Sequence, residues 1–361
     1  MSGDPGQCRA GGRQGLPVSS SRTPSSSSGT RSPGSRLRTT VHMDPIMTDR
    51  PVIAWWRGCP AGVPMLGSMD PQVAPREKMA GTGEVTGPFA MLVGVLRGGN
   101  VAVLSGAGLS TESGIPDYRG PSGRARGGQP MTYQAFTGSA AARQRYWARS
   151  HLGWRHITGA APNDGHRAVA LLEEAGRVRG IITQNVDGLH QAAGAVAVTE
   201  LHGSLHRVAC LSCWRRSSRV ELDERLRAEN PGWAEQAAAG LAVKPDGDVA
   251  LEDTAGFAVV DCVACGGLLK PDVVFFGENV PKPRVAACFD LVSASSALVV
   301  LGSSLAVLSG LRYVRHAASL GIPVVIVNQG QTRGDELAAA TLDAPLGAAL
   351  TAATRELGLA G

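Results

Sequence analysis

No stretch of the 361 residues is long and apolar enough to span a membrane, and no basic segment followed by an apolar block marks a secretory signal. The sequence therefore gives no reason to expect a membrane partner, and its default location is the cytoplasm. Charge of one sign is equally scarce. The net charge of +5 arises in residues 1–80, which hold 10 Lys/Arg against 5 Asp/Glu and leave 25 of each for the remainder. The rest of the chain is neutral and offers no electrostatic warrant for a nucleic-acid partner. No internal repeat of fixed period is evident, and the seven cysteines are an odd number without the even spacing of a disulfide framework. Residues 1–80 also lack sustained apolar periodicity. They are rich in Ser, Gly, Pro and Arg, with a Ser25–Ser28 run, and are expected to form a disordered tail. Pro5, Pro17, Pro24 and Pro33 interrupt any amphipathic targeting helix there, so a non-functional extension or an upstream start is the favoured reading over organellar targeting.

The most informative stretch is 101–119, where the apolar run Val101–Leu104 ends in Gly106-Ala107-Gly108 and then in Pro116-Asp117-Tyr118-Arg119. A buried parallel strand running into a small-residue turn lets backbone N–H groups approach a diphosphate, so this segment is expected to hold a dinucleotide. It departs from the hydride-transfer fingerprint because Thr111 stands where a third glycine belongs. Further apolar, β-branched runs recur at 178–183, 196–201, 273–276, 298–301 and 324–327, separated by helical segments. That alternation predicts an α/β fold, a doubly wound parallel Rossmann-like sheet, with Gly106, Gln184, His202, Gly302 and Asn328 at the carboxyl ends of its strands. The expected division is a tail over 1–80, a catalytic domain over 81–350 and a C-terminal end over 351–361. Two insertions, a helical one at about 132–156 and a cysteine-bearing one at about 207–270, are assigned to a smaller second domain over the crevice.

Cys210-x-x-Cys213 and Cys262-x-x-Cys265 have the paired spacing that clamps a tetrahedral ion, and four thiolates leave no open coordination position. A structural zinc is the expected occupant. Competing readings are a redox dithiol, buried free cysteines or a nucleic-acid-reading ribbon, the last with slight support from Arg215, Arg216 and Arg219. His202 follows the 196–201 strand, and an imidazole titrating near neutrality suits a general base acting on a ribose hydroxyl. Gln184, Asn185 and Asp187 end the preceding strand with donors and acceptors suited to a ribose and a carboxamide. Capping of the following helix by Asn185 or Asp187 is a compatible second role. Glu200 reads as a support or a bystander.

The run Gly106–Arg119, then Thr183-Gln184-Asn185-Val186-Asp187, then Leu201-His202-Gly203-Ser204, resembles the signature of the sirtuins, the NAD-dependent protein deacylases, over roughly residues 88–350. The resemblance implies catalytic roles for His202, Asn185 and Asp187. It implies NAD contacts from Gly106, Ala107, Gly108, Ser110, Thr111, Ile115, Asp117, Tyr118 and Arg119. Gln184, Asn185, Val186 and Asp187 would continue them, with Gly302, Ser303, Ser304, Asn328, Gln329, Gly330 and Leu346 on the adenosine side. Cys210, Cys213, Cys262 and Cys265 would hold one zinc. NAD would be consumed as co-substrate: the acyl oxygen of a modified lysine attacks the ribose C1′, nicotinamide leaves, and His202 helps the 2′-hydroxyl attack the resulting intermediate. Products would be nicotinamide, 2′-O-acyl-ADP-ribose and free lysine.

An acyl-lysine peptide would add as a strand along Val273-Val274-Phe275-Phe276-Gly277-Glu278. Within the family the resemblance is to class II, the lineage of the human mitochondrial sirtuin four. It is carried by Asp117-Tyr118-Arg119, Arg143-Gln144-Arg145-Tyr146-Trp147-Ala148-Arg149 and Leu269–Glu278. Tyr146-x-x-Arg149 has the spacing of the desuccinylase carboxylate-binding pair but falls too late in the chain for that role. An ADP-ribosyltransferase and a catalytically idle NAD- and zinc-binding module remain as alternatives. The acyl group and the protein substrates are not fixed by these residues, and a monomer is the default state.

Overall fold

The computed structural model describes residues 77–78, 87–117, 130–233, 246–247, 249, 251 and 253–359. The expected tail lies outside the described residues except for Glu77–Lys78. Those two pair with Leu342 and Asp343, so the sheet reaches upstream of residue 81.

The strand Val101–Ser105 is buried along its whole length and sits in the middle of a seven-stranded sheet. On one side lie Val178–Thr183 and then Val198–Glu200. On the other lie Ala297–Leu301, Val324–Val327, Ala340–Asp343 and finally Glu77–Lys78. Every neighbouring pair is parallel. Strand alternation explains why both faces need cover: Val101 and Val103 enter one aliphatic cluster with Leu92, Val169 and Leu350, while Ala102 and Leu104 enter another with Val292, Leu311 and Val314. The helices Gly87–Gly98, Asp164–Glu174 and Leu346–Glu356 supply the first face, and Lys282–Ser293 and Leu308–Ser319 the second. The doubly wound reading is therefore correct, and strand order reverses between Val101–Ser105 and Ala297–Leu301. The last helix crosses the expected boundary at residue 350 and runs to Glu356.

Two sequence expectations are corrected. The run 273–276 is not a strand of the parallel sheet. Leu269–Val273 instead pairs antiparallel with Gly203–Cys210, which also pairs with Arg216–Ser218, in a separate three-stranded sheet. A continuous apolar run marks burial and says nothing about which sheet buries it. The strand expected over 196–201 shortens to Val198–Glu200, half-buried at the sheet edge.

The small sheet packs with the helices Tyr133–Gly138, Ala140–Thr158 and Arg219–Glu229. The first two are started by hydroxyl caps, Thr132 accepting from Ala135 N–H and Ser139 from Ala142 N–H. Their shared core is aromatic: Phe275 lies 5.2 Å from both Phe136 and Tyr146, and Tyr146 lies 5.2 Å from Trp147. Beside it the fully buried Arg219 stacks on Trp147 and Trp154 and faces the buried Asp223, which also holds His151 Nδ1 at 2.6 Å and Arg227 at 2.9 Å. Among the described residues no helix is long and apolar enough to cross a membrane.

Candidate active site

The site grows from the switch point of the sheet. Gly106 N–H donates to Leu301 O at 2.9 Å and Gly108 N–H donates to Gly302 O at 2.8 Å, which ties the two central strand ends together. A Cβ on either glycine would lie 2.8 Å from Gly302 O, and one on Gly302, whose φ is +61°, would lie 2.5 Å from Leu109 N. The glycines expected from sequence to clear a ligand thus first clear each other, and two of their N–H groups are engaged within the fold. Leu346 closes over the same spot from the start of its helix, and the Cβ of a substituted Gly302 would meet it at 2.7 Å.

From that seam a polar network runs across the crevice. Asn185 Nδ2 donates to Gly106 O at 3.1 Å and to Ser110 Oγ at 3.0 Å, and Ser110 Oγ donates to Asp187 Oδ2 at 2.7 Å. Gln184 Nε2 donates to Ser303 Oγ at 2.8 Å. Asp187 is buried. Desolvation pushes its carboxyl up from the ordinary value, against the Leu189 N–H and Ser110 O–H that it accepts. Its Oδ1 also accepts Leu189 N–H at 3.0 Å, at the start of the short helix Leu189–Ala192.

His202 is fixed by the same strand end. Its Nδ1 lies 2.9 Å from Gln184 O, and a carbonyl only accepts, so Nδ1 carries the proton and the lone pair of the neutral ring sits on Nε2. Burial lowers the pKa of His202. The Gln184 contact works against that, while Arg284 and Arg312 add to it. The backbone beside it is equally constrained: Val274 N–H donates to His202 O at 2.8 Å, and Gly203, at φ +86°, has no room for a Cβ against Asp272 O. That places Val274-Phe275-Phe276, expected to receive a peptide, directly alongside the histidine. Phe275 turns into the aromatic core, and Phe276 O accepts Tyr133 N–H at 2.9 Å.

Other expected residues take less central places. Thr111 Oγ1 bonds Gly108 O, Ile115 is buried, and Val186 packs against the aromatic cluster. Ser304 O accepts Arg333 N–H, and Asn328 Nδ2 closes the turn at Gln329 and Gly330 beyond its own strand. Ala107 opens the short 3-10 turn Ala107–Ser113, and Asp117 ends the described segment. Tyr118 and Arg119 lie outside the described residues. Glu200 accepts Arg207 and Gln191 and touches no member of the crevice network in those bonds, which fits a supporting residue. Sequence reasoning missed Ser309, whose Oγ sits 2.8 Å from His202 Nε2, and no local pattern singles that serine out.

The four paired cysteines converge. Their Sγ atoms all lie within 4.8 Å of one another, with Cys210–Cys265 at 3.5 Å and Cys213–Cys262 at 3.9 Å. A tetrahedron of thiolates around zinc, with Zn–S near 2.3 Å, has edges of about 3.8 Å, so the donor set and spacing suit that ion. The knuckles are set by backbone bonds, Cys262 N–H to Gly267 O and Gly266 N–H to Cys262 O, and a Cβ on Gly267 would fall 2.9 Å from Cys210 Sγ.

Residues 106–309 match the model of the Sir2 family. A protein named NAD-dependent protein deacetylase 1 from Streptomyces coelicolor is 58% identical over 276 residues, which is 76% of this chain and 91% of that protein. One of the same name from Mycobacterium avium is 57% identical over 254 residues, 70% of this chain and 89% of that protein. Among solved structures, a Sir2–p53 peptide–NAD+ complex superposes with a TM-score of 0.60 at 29% identity, covering 75% of this chain and 98% of the other. A Sir2 enzyme bound to a propionylated peptide gives 0.58 at 27% identity, covering 75% and 99%. With the family model spanning more than half the chain and that identity running over nine-tenths of a relative, this chain belongs to the Sir2 family.

Proposed function

We propose that the chain is an NAD-dependent protein-lysine deacylase with His202 as its general base. The observation that carries this is the neutral His202 ring, held by Gln184 O so that Nε2 presents its lone pair in the crevice where the strand order reverses. Relatives sharing more than half their residues with the chain are named NAD-dependent protein deacetylases, and solved Sir2 complexes carry NAD and peptide. NAD supplies the ADP-ribosyl group that accepts the acyl chain.

This chain's own residues would divide the work. The turn at Gly106, Ala107 and Gly108, with Ser110, Thr111 and Ile115, faces the diphosphate side. Asp117, Gln184, Asn185, Val186 and Asp187 grip the nicotinamide ribose and carboxamide, with Tyr118 and Arg119 ordering the loop above. Gly302, Ser303, Ser304, Asn328, Gln329, Gly330 and Leu346 shape the adenosine side. Nε2 of His202 takes the proton of a ribose hydroxyl while Nδ1 keeps its own on Gln184 O. The segment Val273–Glu278 receives the acyl-lysine peptide by strand addition. Cys210, Cys213, Cys262 and Cys265 hold one structural zinc, which leaves no coordination position for chemistry.

Within the family we place the chain in class II, on Asp117-Tyr118-Arg119 and the 143–149 and 269–278 segments, and in a reducing compartment such as the cytoplasm, where thiolates stay available to a metal. The deciding experiment is incubation with NAD and a panel of acyl-lysine peptides, following peptide mass and nicotinamide together. Loss of the acyl mass in step with nicotinamide release is expected. Nicotinamide release with a gain of ADP-ribose mass on protein would identify a transferase instead.

A further inference from the structure

We propose that Ser309 is the positioning residue of the His202 base: its hydroxyl donates to Nε2, holds the ring in the Nδ1–H tautomer, and gives way to the ribose hydroxyl when the co-substrate enters. The inference rests on the general-base reading above and adds a residue to it. Ser309 Oγ lies 2.8 Å from His202 Nε2, and Nδ1 already donates to Gln184 O, so the neutral ring has one acceptor left and the serine O–H fills it. The imidazole is then held at both nitrogens, as a base must be to meet a substrate proton in line.

The approach of the two elements is built for this contact. Ser309 stands in the first turn of the helix Leu308–Ser319, next to Gly310, and a Cβ on Gly310 would lie 2.6 Å from Gln184 Oε1. Glycine there lets the helix start close enough to the strand end for a side chain as short as serine to reach the ring. Ser309 is only half-buried, and its neighbour Leu308 is exposed, so the hydroxyl is not locked in place by packing and can leave Nε2 by rotation about one bond. A serine hydroxyl is also the same chemical group as the substrate's: each offers an O–H to the same lone pair, and one can replace the other without leaving Nε2 unpaired.

Among the described residues, Arg284 and Arg312 are the charged groups that act on the ring. Arg284, which donates to Leu201 O at 3.2 Å, comes from the neighbouring helix, and Arg312 lies on Ser309's own helix. Val274 approaches through its backbone. A change in the titration of His202 on altering Ser309 reports the hydroxyl.

The test uses the full chain with NAD and an acetyl-lysine peptide. Ser309→Ala is expected to lower kcat/KM about tenfold, because a ring no longer held at Nε2 in the free enzyme must be ordered before the ribose hydroxyl can reach it. It should also move the acid limb of the pH profile upward, because a donor that favours the neutral ring is gone. Ser309→Thr should restore both. Imidazole 15N spectra of the free enzyme should show His202 protonated at Nδ1 in the wild type and in Ser309→Ala, where Gln184 O still holds that proton, with the Nε2 resonance shifted in the variant because its donor is gone; if that variant does not fold, Ser309→Cys, a poorer donor of similar size, should shift the same resonance. Wild-type rate, pH limb and Nε2 resonance in the serine variants, beside an inactive His202→Ala, would overturn the proposal and leave the general base standing. A fully active His202→Ala would remove the base itself.

Discussion

The two halves of the molecule are held together by different physics. The large sheet is closed by aliphatic side chains on both faces, and its site is assembled from glycines, amides and hydroxyls at strand ends. The small module has an aromatic core, a buried arginine–aspartate cluster and four thiols within one ion's reach. Dispersion and burial dominate the first, while the second adds buried charges and a thiol cluster suited to a zinc ion. The proposed chemistry belongs to the strand ends of the large sheet, and the segment proposed to receive a peptide belongs to the small module.

The largest expected effect breaks the small module alone. Cys262→Ser should lose the single zinc per chain and the cooperative unfolding of that module, read by metal content and a thermal melt. Equal stability and activity in a metal-free preparation would refute a structural zinc. Next, His202→Ala should reduce deacylation by about 10²–10⁴-fold with melting and zinc content unchanged, since it removes a base and no ligand. Retained turnover would show the proton goes elsewhere.

Third, Asp223→Ala should destabilise the chain by about 3–5 kcal/mol, because Arg219 is left buried without its carboxylate. Denaturant midpoints measure this, and NAD affinity should survive in the variant.

A milder perturbation probes the large half by pH. Burial first, then mutual repulsion with His190 and the Arg167 charge, lowers the pKa of His166 to about 3, and burial lowers that of His190 to about 4. Both are neutral when folded and titrate near 6.5 when unfolded, so the unfolded chain binds more protons below that value. Stability should be level above pH 6.5 and fall progressively towards pH 4. A urea midpoint that stays constant from pH 7 to 5 would contradict it. The smallest effect is expected from a chain beginning near Thr82, which forfeits only the two-residue edge pairing of Glu77–Lys78 among the described contacts. Its turnover should match the full chain's, and a large loss would show the upstream residues belong to the fold.

Much of the large half was legible because parallel strands buried on both faces read as apolar runs: Val101–Ser105, Val178–Thr183, Ala297–Leu301 and Val324–Val327 all lie where the pattern put them. Ala340–Asp343 was not, since Ala-Thr-Leu-Asp has one β-branched residue and ends in a charge, unlike Val324–Val327 of the same four-residue length, and is a strand because Val324–Val327 offers it an edge. The cysteine spacing declared its cluster, but the Arg219–Asp223–His151 network joins residues up to 72 positions apart and leaves no local trace. Ser309 was invisible for the same reason: its partner is 107 residues away.

The aromatic packing of the small module also makes the protein its own spectrometer. Trp147, Trp154, Trp214 and Trp233 are the tryptophans among the described residues, and all four belong to that module; Trp147 is buried and Trp214 is 75% exposed on the first cysteine knuckle. Indole emission therefore reports on the module and is silent about the sheet, once Trp55 and Trp56, which lie outside the described residues, are replaced by Phe. Trp214 follows Cys213 directly, so its fluorescence should change as zinc leaves, which gives the small module an optical signal of its own.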